Sequence, residues 1–239
     1  MILEIDIGNS RIKWRQLDER DRTVADEGHV QRIDELKRLN AMNAQPLMVR
    51  MTSVRGEGET EQVCDWVNSK YSLQVSQAKV SKQCGAVRNS YKDVNRMGID
   101  RWLAMLAAYD RVGGPCVIVD GGTALTVDIL AADGSHEGGY ILPGLRLMRS
   151  SLVENTGIEL SAKTVADSAE PGHSTEEAVM NGTLAVLLAL IEKKAMGSIL
   201  LLTGGDAEVL AAMLPEQKRL LVPSLVLDGL TIACPYVSS

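Results

Sequence analysis

The 239-residue chain predicts an α/β protein built from two related lobes. Two short segments carry the prediction, Asp6-Ile7-Gly8-Asn9-Ser10 and Asp120-Gly121-Gly122-Thr123, which share a pattern of acid, glycine, then amide or hydroxyl. Each follows an apolar run that reads as a buried strand, and each runs on into a second β-rich stretch. Around them, strand-like and helix-like segments alternate twice over.

The elements follow in order. Met1-Ile2-Leu3-Glu4-Ile5 and Arg11–Gln16 read as strands flanking the first turn, and a polar stretch follows them. Ile33–Leu39 has helical spacing, and Pro46–Met51 is a buried strand ending at the Gly56–Gly58 loop. Glu61–Ser69 is expected to be a helix and Leu73–Val75 a short strand. Gly98–Val112 places Trp102, Leu103, Leu106, Ala107 and Tyr109 on one helical face and stops at Gly113-Gly114-Pro115. That break divides the chain into lobes 1–114 and 115–239.

The second lobe restarts with the strand Cys116–Val119, the Asp120 turn and the strand Ala124–Leu130. Ala132-Asp133-Gly134 reads as a hairpin turn into the strand Gly138–Leu142. Pro143-Gly144 opens a helix over Leu145–Asn155, and a longer helix runs from Thr175 to Lys194 with acids at its start. Ser198–Leu202, a helix from Ala207 to Met213 and a strand near Leu220–Val222 complete the pattern.

Composition narrows the function. Apolar residues make up 45%, ordinary for a globular protein, and the net charge of −6 argues against a nucleic-acid-binding surface. No apolar segment approaches the length needed to span a bilayer, and the N-terminus opens directly on a strand rather than a signal peptide. The four cysteines lack metal-ligand spacing. A cytoplasmic protein with free thiols and no membrane partner is expected. His29, His136 and His173 fall in loops and read as surface residues.

The chemistry concentrates at four places. Glycine in the Asp6 turn lets amide N–H groups approach an anion, Asn9 and Ser10 add donors, and Asp6 can hold a metal. Lys13 lies on the following strand, where strict alternation sets it on the opposite face from Ser10. At the second turn, Asp120 ends a buried strand and needs a partner: a cation, a phosphate-bound Mg²⁺ or local N–H groups. Thr123 and Thr126 supply hydroxyls there. At Gly98-Ile99-Asp100-Arg101-Trp102 a helix begins, so Asp100 is either an N-cap or a general base, and Arg101 offers a planar fork for a carboxylate. Finally, Thr203-Gly204-Gly205-Asp206 fits either a backbone lying flat against a nucleotide or a helix-entry turn capped by Asp206.

Together these motifs resemble the type III pantothenate kinases, members of the actin, hexokinase and heat-shock ATPase superfamily. The resemblance rests on Asp6-Ile-Gly-Asn-Ser, Tyr91, Gly98-Ile-Asp-Arg-Trp, the run from Asp120 to Asp128, Gly138-Gly-Tyr-Ile-Leu-Pro-Gly-Leu, Thr175-Glu-Glu-Ala, Asn181-Gly182 and Thr203-Gly-Gly-Asp. It implies two lobes of the actin-like ATPase (ribonuclease H-like) fold, each a mixed sheet flanked by helices. It implies ATP-dependent phosphorylation of pantothenate, the first step of coenzyme A biosynthesis.

The resemblance also implies roles. Asp6, Ile7, Gly8, Asn9, Ser10, Arg11, Ile12 and Lys13 would form the ATP phosphate loop, with Thr123 contacting phosphate. Asp120 would bind a monovalent cation, K⁺ or NH₄⁺, beside Mg²⁺ or a similar divalent ion. Asp100 would be the general base. Tyr91, Gly98, Ile99, Asp100, Arg101 and Thr175 would line the pantothenate pocket, Thr175 across the interface of a homodimer. Relatives often carry proline three residues after the tyrosine, where this chain has Val94. Two other functions are weighed: a superfamily kinase for another small substrate, and a non-catalytic nucleotide-binding regulator. The intact set of Asp6, Asp100 and Asp120 disfavours the second.

Overall fold

The computed structural model describes residues 1–161, 168–214 and 219–236. They form two units, each taken by itself below: Met1–Cys84 with Tyr91–Ala107 and Leu225–Ser239, and Gly85–Ser90 with Ala108–Ser224.

In the first unit, β1 (Ile2–Ile7), β2 (Ile12–Leu17), β3 (Val24–Val30), β4 (Met48–Ser53) and β5 (Val75–Gln77) form one sheet in the order β3-β2-β1-β4-β5. β1 pairs antiparallel with β2 and parallel with β4. Odd positions of β1 and β4 (Leu3, Ile5, Ile7, Val49, Met51) enter a core closed by α1 (Ile33–Arg38) and α2 (Glu57–Tyr71) through Leu36, Val63 and Val67. The polar stretch after β2 is β3, an edge strand. Its residues are exposed or half-exposed, so no apolar alternation announces it, and its charges blunt a free edge.

The even positions do something the sequence analysis did not single out. Glu4 is fully buried and accepts hydrogen bonds from Arg15 Nε, from Arg50 Nε at 2.6 Å and from Thr231 Oγ1 at 3.1 Å. Arg15 also reaches Asp228 at 2.6 Å, and Arg50 donates to the Cys234 carbonyl at 2.9 Å. Thr231 and Asp228 belong to α7 (Leu225–Ala233), so this network fastens α7 over the sheet. Burial works against the charge of both arginines. Glu4 and then Asp228 outweigh it for Arg15, whose pKa rises, but not for Arg50, whose pKa falls. On its other side α7 meets α3 (Ile99–Val112) at Gly229, where a Cβ would lie 2.2 Å from the Leu103 carbonyl oxygen.

The two-residue strand β6 (Gln83–Cys84) ends the first segment of the first unit; the second unit carries the two-residue strand β7 (Val87–Arg88) and then its own sheet. That sheet joins β8 (Cys116–Gly121), β9 (Ala124–Leu130), β10 (His136–Pro143), β11 (Ile199–Thr203) and β12 (Arg219–Leu221) in the order β10-β9-β8-β11-β12. Strand for strand, this repeats the first sheet: two antiparallel hairpin partners on one side and two parallel strands on the other. Helices α4 (Leu145–Asn155), α5 (Thr175–Ala195) and α6 (Ala207–Met213) flank it, and Leu184, Leu187, Leu188 and Ile191 of α5 enter its core. The expected architecture, a mixed sheet flanked by helices in each of two related lobes, is what the chain adopts.

Candidate active site

The repeated topology gives the two acidic turns equivalent addresses. Asp6 stands opposite Lys13 on β2 and Thr52 on β4, and Asp120 stands opposite Thr126 on β9 and Thr203 on β11. Strand partners share a face, so Lys13 lies on the face of Asp6. The odd spacing from Ser10 poses no obstacle, because Asn9 and Ser10 lie in the bend before β2.

In the first turn, the Gly8 N–H donates to the Arg11 carbonyl at 3.1 Å and leaves Asn9 and Ser10 exposed at the tip. A Cβ on Gly8 would sit 3.2 Å from that carbonyl oxygen. Ile7 and Ile12 are fully buried, so only their backbone can serve a ligand. Arg55, which sequence reasoning missed, braces the turn by donating from Nε to the Gly8 carbonyl at 2.7 Å while pairing with Glu59 at 3.0 Å. Thr52 was missed too: its Oγ1 is buried and has no hydrogen-bond partner among the described residues, directly across from Asp6.

The helix start lies in the same unit. Trp102 N–H donates to Gly98 O at 3.0 Å, which makes Gly98 the last residue before α3 and puts Asp100 inside its first turn. Asp100 is therefore not the N-cap. Its Oδ1 accepts from the Arg101 N–H at 2.9 Å, and a Cβ on Gly98 would come within 2.6 Å of that oxygen. Glycine here keeps the approach to the carboxylate clear. Arg101, almost wholly buried, donates from Nη1 to the Tyr91 hydroxyl at 2.7 Å and lies 5.7 Å from the Tyr91 ring centre. The loop between them needs no proline at Val94, because Asp93 accepts from the Asn95 N–H at 3.1 Å and caps a 3₁₀ turn. A cleft of about 500 Å³ opens beside these groups, lined by Ser53, Val54, Lys79, Met97, Gly98 and Ile99.

In the second unit, the Asp120 turn is gripped from two sides. Gly144 N–H donates to Thr123 O at 3.0 Å, and a Cβ on Gly144 would lie 2.3 Å from Gly122 O. Gly204, with φ +90°, presses on the other side, where a Cβ would lie 2.3 Å from Asp120 Oδ1. The Asp206 N–H donates to Gly121 O at 2.9 Å, and no Asp206 side-chain bond caps α6. Gly204 thus shapes the acid turn, while Gly205 is exposed. Asp120 is half-buried and Thr123 exposed. Nearby Arg149 on α4 has its pKa lowered by burial, against the pull of Asp206. Thr175 stands exposed at the first turn of α5, whose N-cap is Ser174 accepting from Glu177 N–H at 3.1 Å.

Two histidines depart from expectation: His29 lies on β3 and His136 opens β10, so neither falls in a loop. His29 and His173 are exposed, but His136 is buried, with Nε2 3.0 Å from Asp128 Oδ1 and Nδ1 3.0 Å from Ser90 Oγ. As the first residue of β10, His136 turns its ring inward.

The donors suit hard cations. One carboxylate ends the central strand of each sheet, with hydroxyls or an amine in register beside it, and a buried hydroxyl awaits a partner at Thr52. Magnesium characteristically takes one or two protein carboxylates and completes its shell with phosphate oxygens and water. Among the described residues no three His, Cys, Asp or Glu side chains form a preassembled metal cluster.

Comparison with known proteins gives the family. The family model for type III pantothenate kinase matches residues 2–196. Type III pantothenate kinases of Ectopseudomonas mendocina and Pseudomonas aeruginosa are each 41% identical, over 98% of this chain and 99% of the relative. Among solved structures, a Baf family protein from Campylobacter jejuni superimposes with a TM-score of 0.65 at 22% identity, covering 96% of this chain and 95% of that one. The Clostridium difficile activator of 2-hydroxyisocaproyl-CoA dehydratase, with bound ADPNP, gives 0.52 at 12% identity, over 97% and 92% of the two chains. At such identities these structures speak for the fold alone. On the family match and the relatives, the chain belongs to the type III pantothenate kinases and is an enzyme of the kinase class.

Proposed function

We propose that the chain phosphorylates the primary hydroxyl of pantothenate with ATP, with Asp100 as general base. The observation that carries this reading is the grouping at one end of α3. A carboxylate cleared by Gly98 and a guanidinium held by Tyr91 stand next to a cleft of about 500 Å³. Asp100 orients the hydroxyl and takes its proton at a carboxylate oxygen. Arg101, stacked and hydrogen-bonded by Tyr91, pairs with the substrate carboxylate. Gly98 and Ile99 shape the pocket wall, and Thr175 completes it in a homodimer.

At the first turn the backbone from Asp6 to Lys13, with the Asn9, Ser10 and Lys13 side chains, receives phosphate oxygens. Thr123 would offer its hydroxyl to phosphate, and Asp120 would hold K⁺ or NH₄⁺. ATP supplies the phosphoryl group, and Mg²⁺ or a similar divalent ion bound with it would neutralise phosphate charge. The chain's own work is positioning, electrostatics and one proton acceptance. We read the duplicated lobes as 1–114 and 115–239, one sheet in each, with α7 returning from the second stretch to the first sheet. Exposed apolar side chains on β10, α4 and α5 (Ile141, Leu147 and Val186, at 64%, 46% and 57%) support a homodimer. The enzyme works in the cytoplasm. No helix among the described residues is long and apolar enough to cross a membrane.

The deciding experiment is a coupled assay of ATP and pantothenate with and without K⁺, on the natural chain and on Asp100→Asn. The variant is expected to fold and bind ATP while losing turnover by roughly 10²–10⁴-fold. Near-normal turnover in Asp100→Asn removes the base assignment. ATP binding with no transfer to pantothenate by the natural chain removes the substrate assignment.

A further inference from the structure

Gly8 stands where the first acidic turn leaves β1, and both of its backbone groups are committed. Its N–H donates to the Arg11 carbonyl at 3.1 Å, and its carbonyl accepts from Arg55 Nε at 2.7 Å. That carbonyl belongs to the Gly8–Asn9 peptide, whose N–H is the one on Asn9. In a trans peptide the two groups point opposite ways, so a carbonyl drawn towards Arg55 turns the Asn9 N–H away from it. Asn9 is exposed, and its N–H makes no hydrogen bond among the described residues, which leaves the donor to an anion.

The sequence of the turn makes that orientation easy to lose. Glycine and asparagine visit left-handed backbone most readily, so a Gly–Asn peptide turns over at little steric cost. Turned over, it would meet a phosphate with a carbonyl oxygen in place of an amide. The fastening comes from β4 and α2, in the same unit. Val54 N–H donates to the Ile7 carbonyl at 3.0 Å and extends the β1–β4 pairing one residue beyond Ser53. Arg55 comes next, its N–H donating to Ser53 Oγ at 3.2 Å and its Nη1 to Glu59 of α2 at 3.0 Å. Backbone and guanidinium are both tied, and the side chain is only 17% exposed.

We propose that Arg55 is a positioning residue for ATP: by holding the Gly8 carbonyl it keeps the Asn9 N–H presented to a phosphate oxygen. This rests on the reading of the Asp6–Lys13 turn as the phosphate site. The same side chain could instead touch phosphate itself, and the test separates the two.

The principal variant is Arg55→Met in the full chain, which keeps an unbranched stem and removes the guanidinium. Loss of a charge-assisted hydrogen bond shifts such an equilibrium by up to about 100-fold, enough to take the presenting orientation from most molecules to about a tenth. The KM for ATP, and the Kd for ADP by calorimetry, should then rise about tenfold, with the KM for pantothenate within about twofold. Backbone ¹⁵N relaxation dispersion in nucleotide-free protein should be flat at Asn9 in the natural chain and appear at Gly8 and Asn9 in the variant. Arg55→Lys, which keeps a charged donor for the carbonyl, should restore most of both readings. Glu59→Gln, which keeps the Nε bond, should leave nucleotide affinity within about twofold. Three results overturn the proposal. Arg55→Met binds ADP as the natural chain does; or it loses affinity without dispersion, which makes Arg55 a direct phosphate ligand; or Glu59→Gln loses as much, which assigns the effect to the start of α2. A natural chain that binds no ADP removes the phosphate reading and this proposal with it, whereas equal binding by the natural chain and Arg55→Met removes the proposal alone.

Discussion

Replacing Glu4 by Gln keeps the volume of the side chain and removes one charge from the centre of the first unit. Arg50 and Arg15 are 1% and 6% exposed at their side chains, and both rely on this carboxylate. After the change, two buried guanidinium groups face each other across a neutral amide whose NH₂ cannot accept from either. Breaking a buried pair by removing one partner costs about 3–5 kcal/mol. Arg15 keeps Asp228, and Arg50 keeps the Cys234 carbonyl and Thr231, so the lower end, about 3 kcal/mol, is expected. At roughly 2–4 °C per kcal/mol, the melting midpoint should drop by about 6–12 °C. Tryptophan fluorescence is the fitting assay, because Trp14, Trp66 and Trp102 all lie in the first unit. Arg50→Met should also cost less in the Glu4→Gln background than in the natural chain, since the pair is already broken. A fluorescence midpoint within about 2 °C of the natural protein would refute the reasoning that the carboxylate's charge holds this face together.

Two further outcomes follow from the second unit. Gly204→Ala forces a Cβ to within 2.3 Å of Asp120 Oδ1 at a φ of +90°, so it should destabilise the chain by more than about 1 kcal/mol and, on the proposed K⁺ role of Asp120, blunt activation by K⁺; equal K⁺ activation in the folded variant would detach Gly204 from that role. Burial pushes the Cys116 thiol up to about 12, so at pH 8 it stays protonated and should resist alkylation in the native state, while the half-exposed Cys64 and Cys84 react; equal labelling of all three would contradict the buried strand.

Much of this molecule is legible in its sequence where local signals agree. Pro143-Gly144 before a run of helix formers sets the start of α4, and α5 ends within a residue of expectation, because acids fill its first turn and lysines its last. Other elements have no such agreement. β3 reads Val-Ala-Asp-Glu-Gly-His-Val, with no buried face, and only pairing with β2 makes it a strand. α7 is apolar around most of its circumference and carries a mid-helix glycine, a pattern that fits strand or helix until its packing on Leu103 is known. The acids at the turns were readable because glycine follows each of them. Glu4 carried a quieter signal: a lone acid inside an apolar strand must find a cation, and Arg15 and Arg50 could be identified as its partners only through strand register. His136 was misread for a related reason. A one-residue bulge reverses which face a side chain takes, and composition does not reveal it.

The membership of α7 in the first unit has a consequence for how the protein comes off the ribosome. Every residue of the second unit, through Ser224, is synthesised before α7 exists. The N-terminal sheet, although made first, waits with Glu4, Arg15 and Arg50 uncovered until the final stretch emerges, whereas the later-made sheet already has all its strands. Order of synthesis and order of completion are thus reversed, and a nascent chain arrested just before Leu225 should resist protease over 108–155 and 175–213 while still being cut within 1–84.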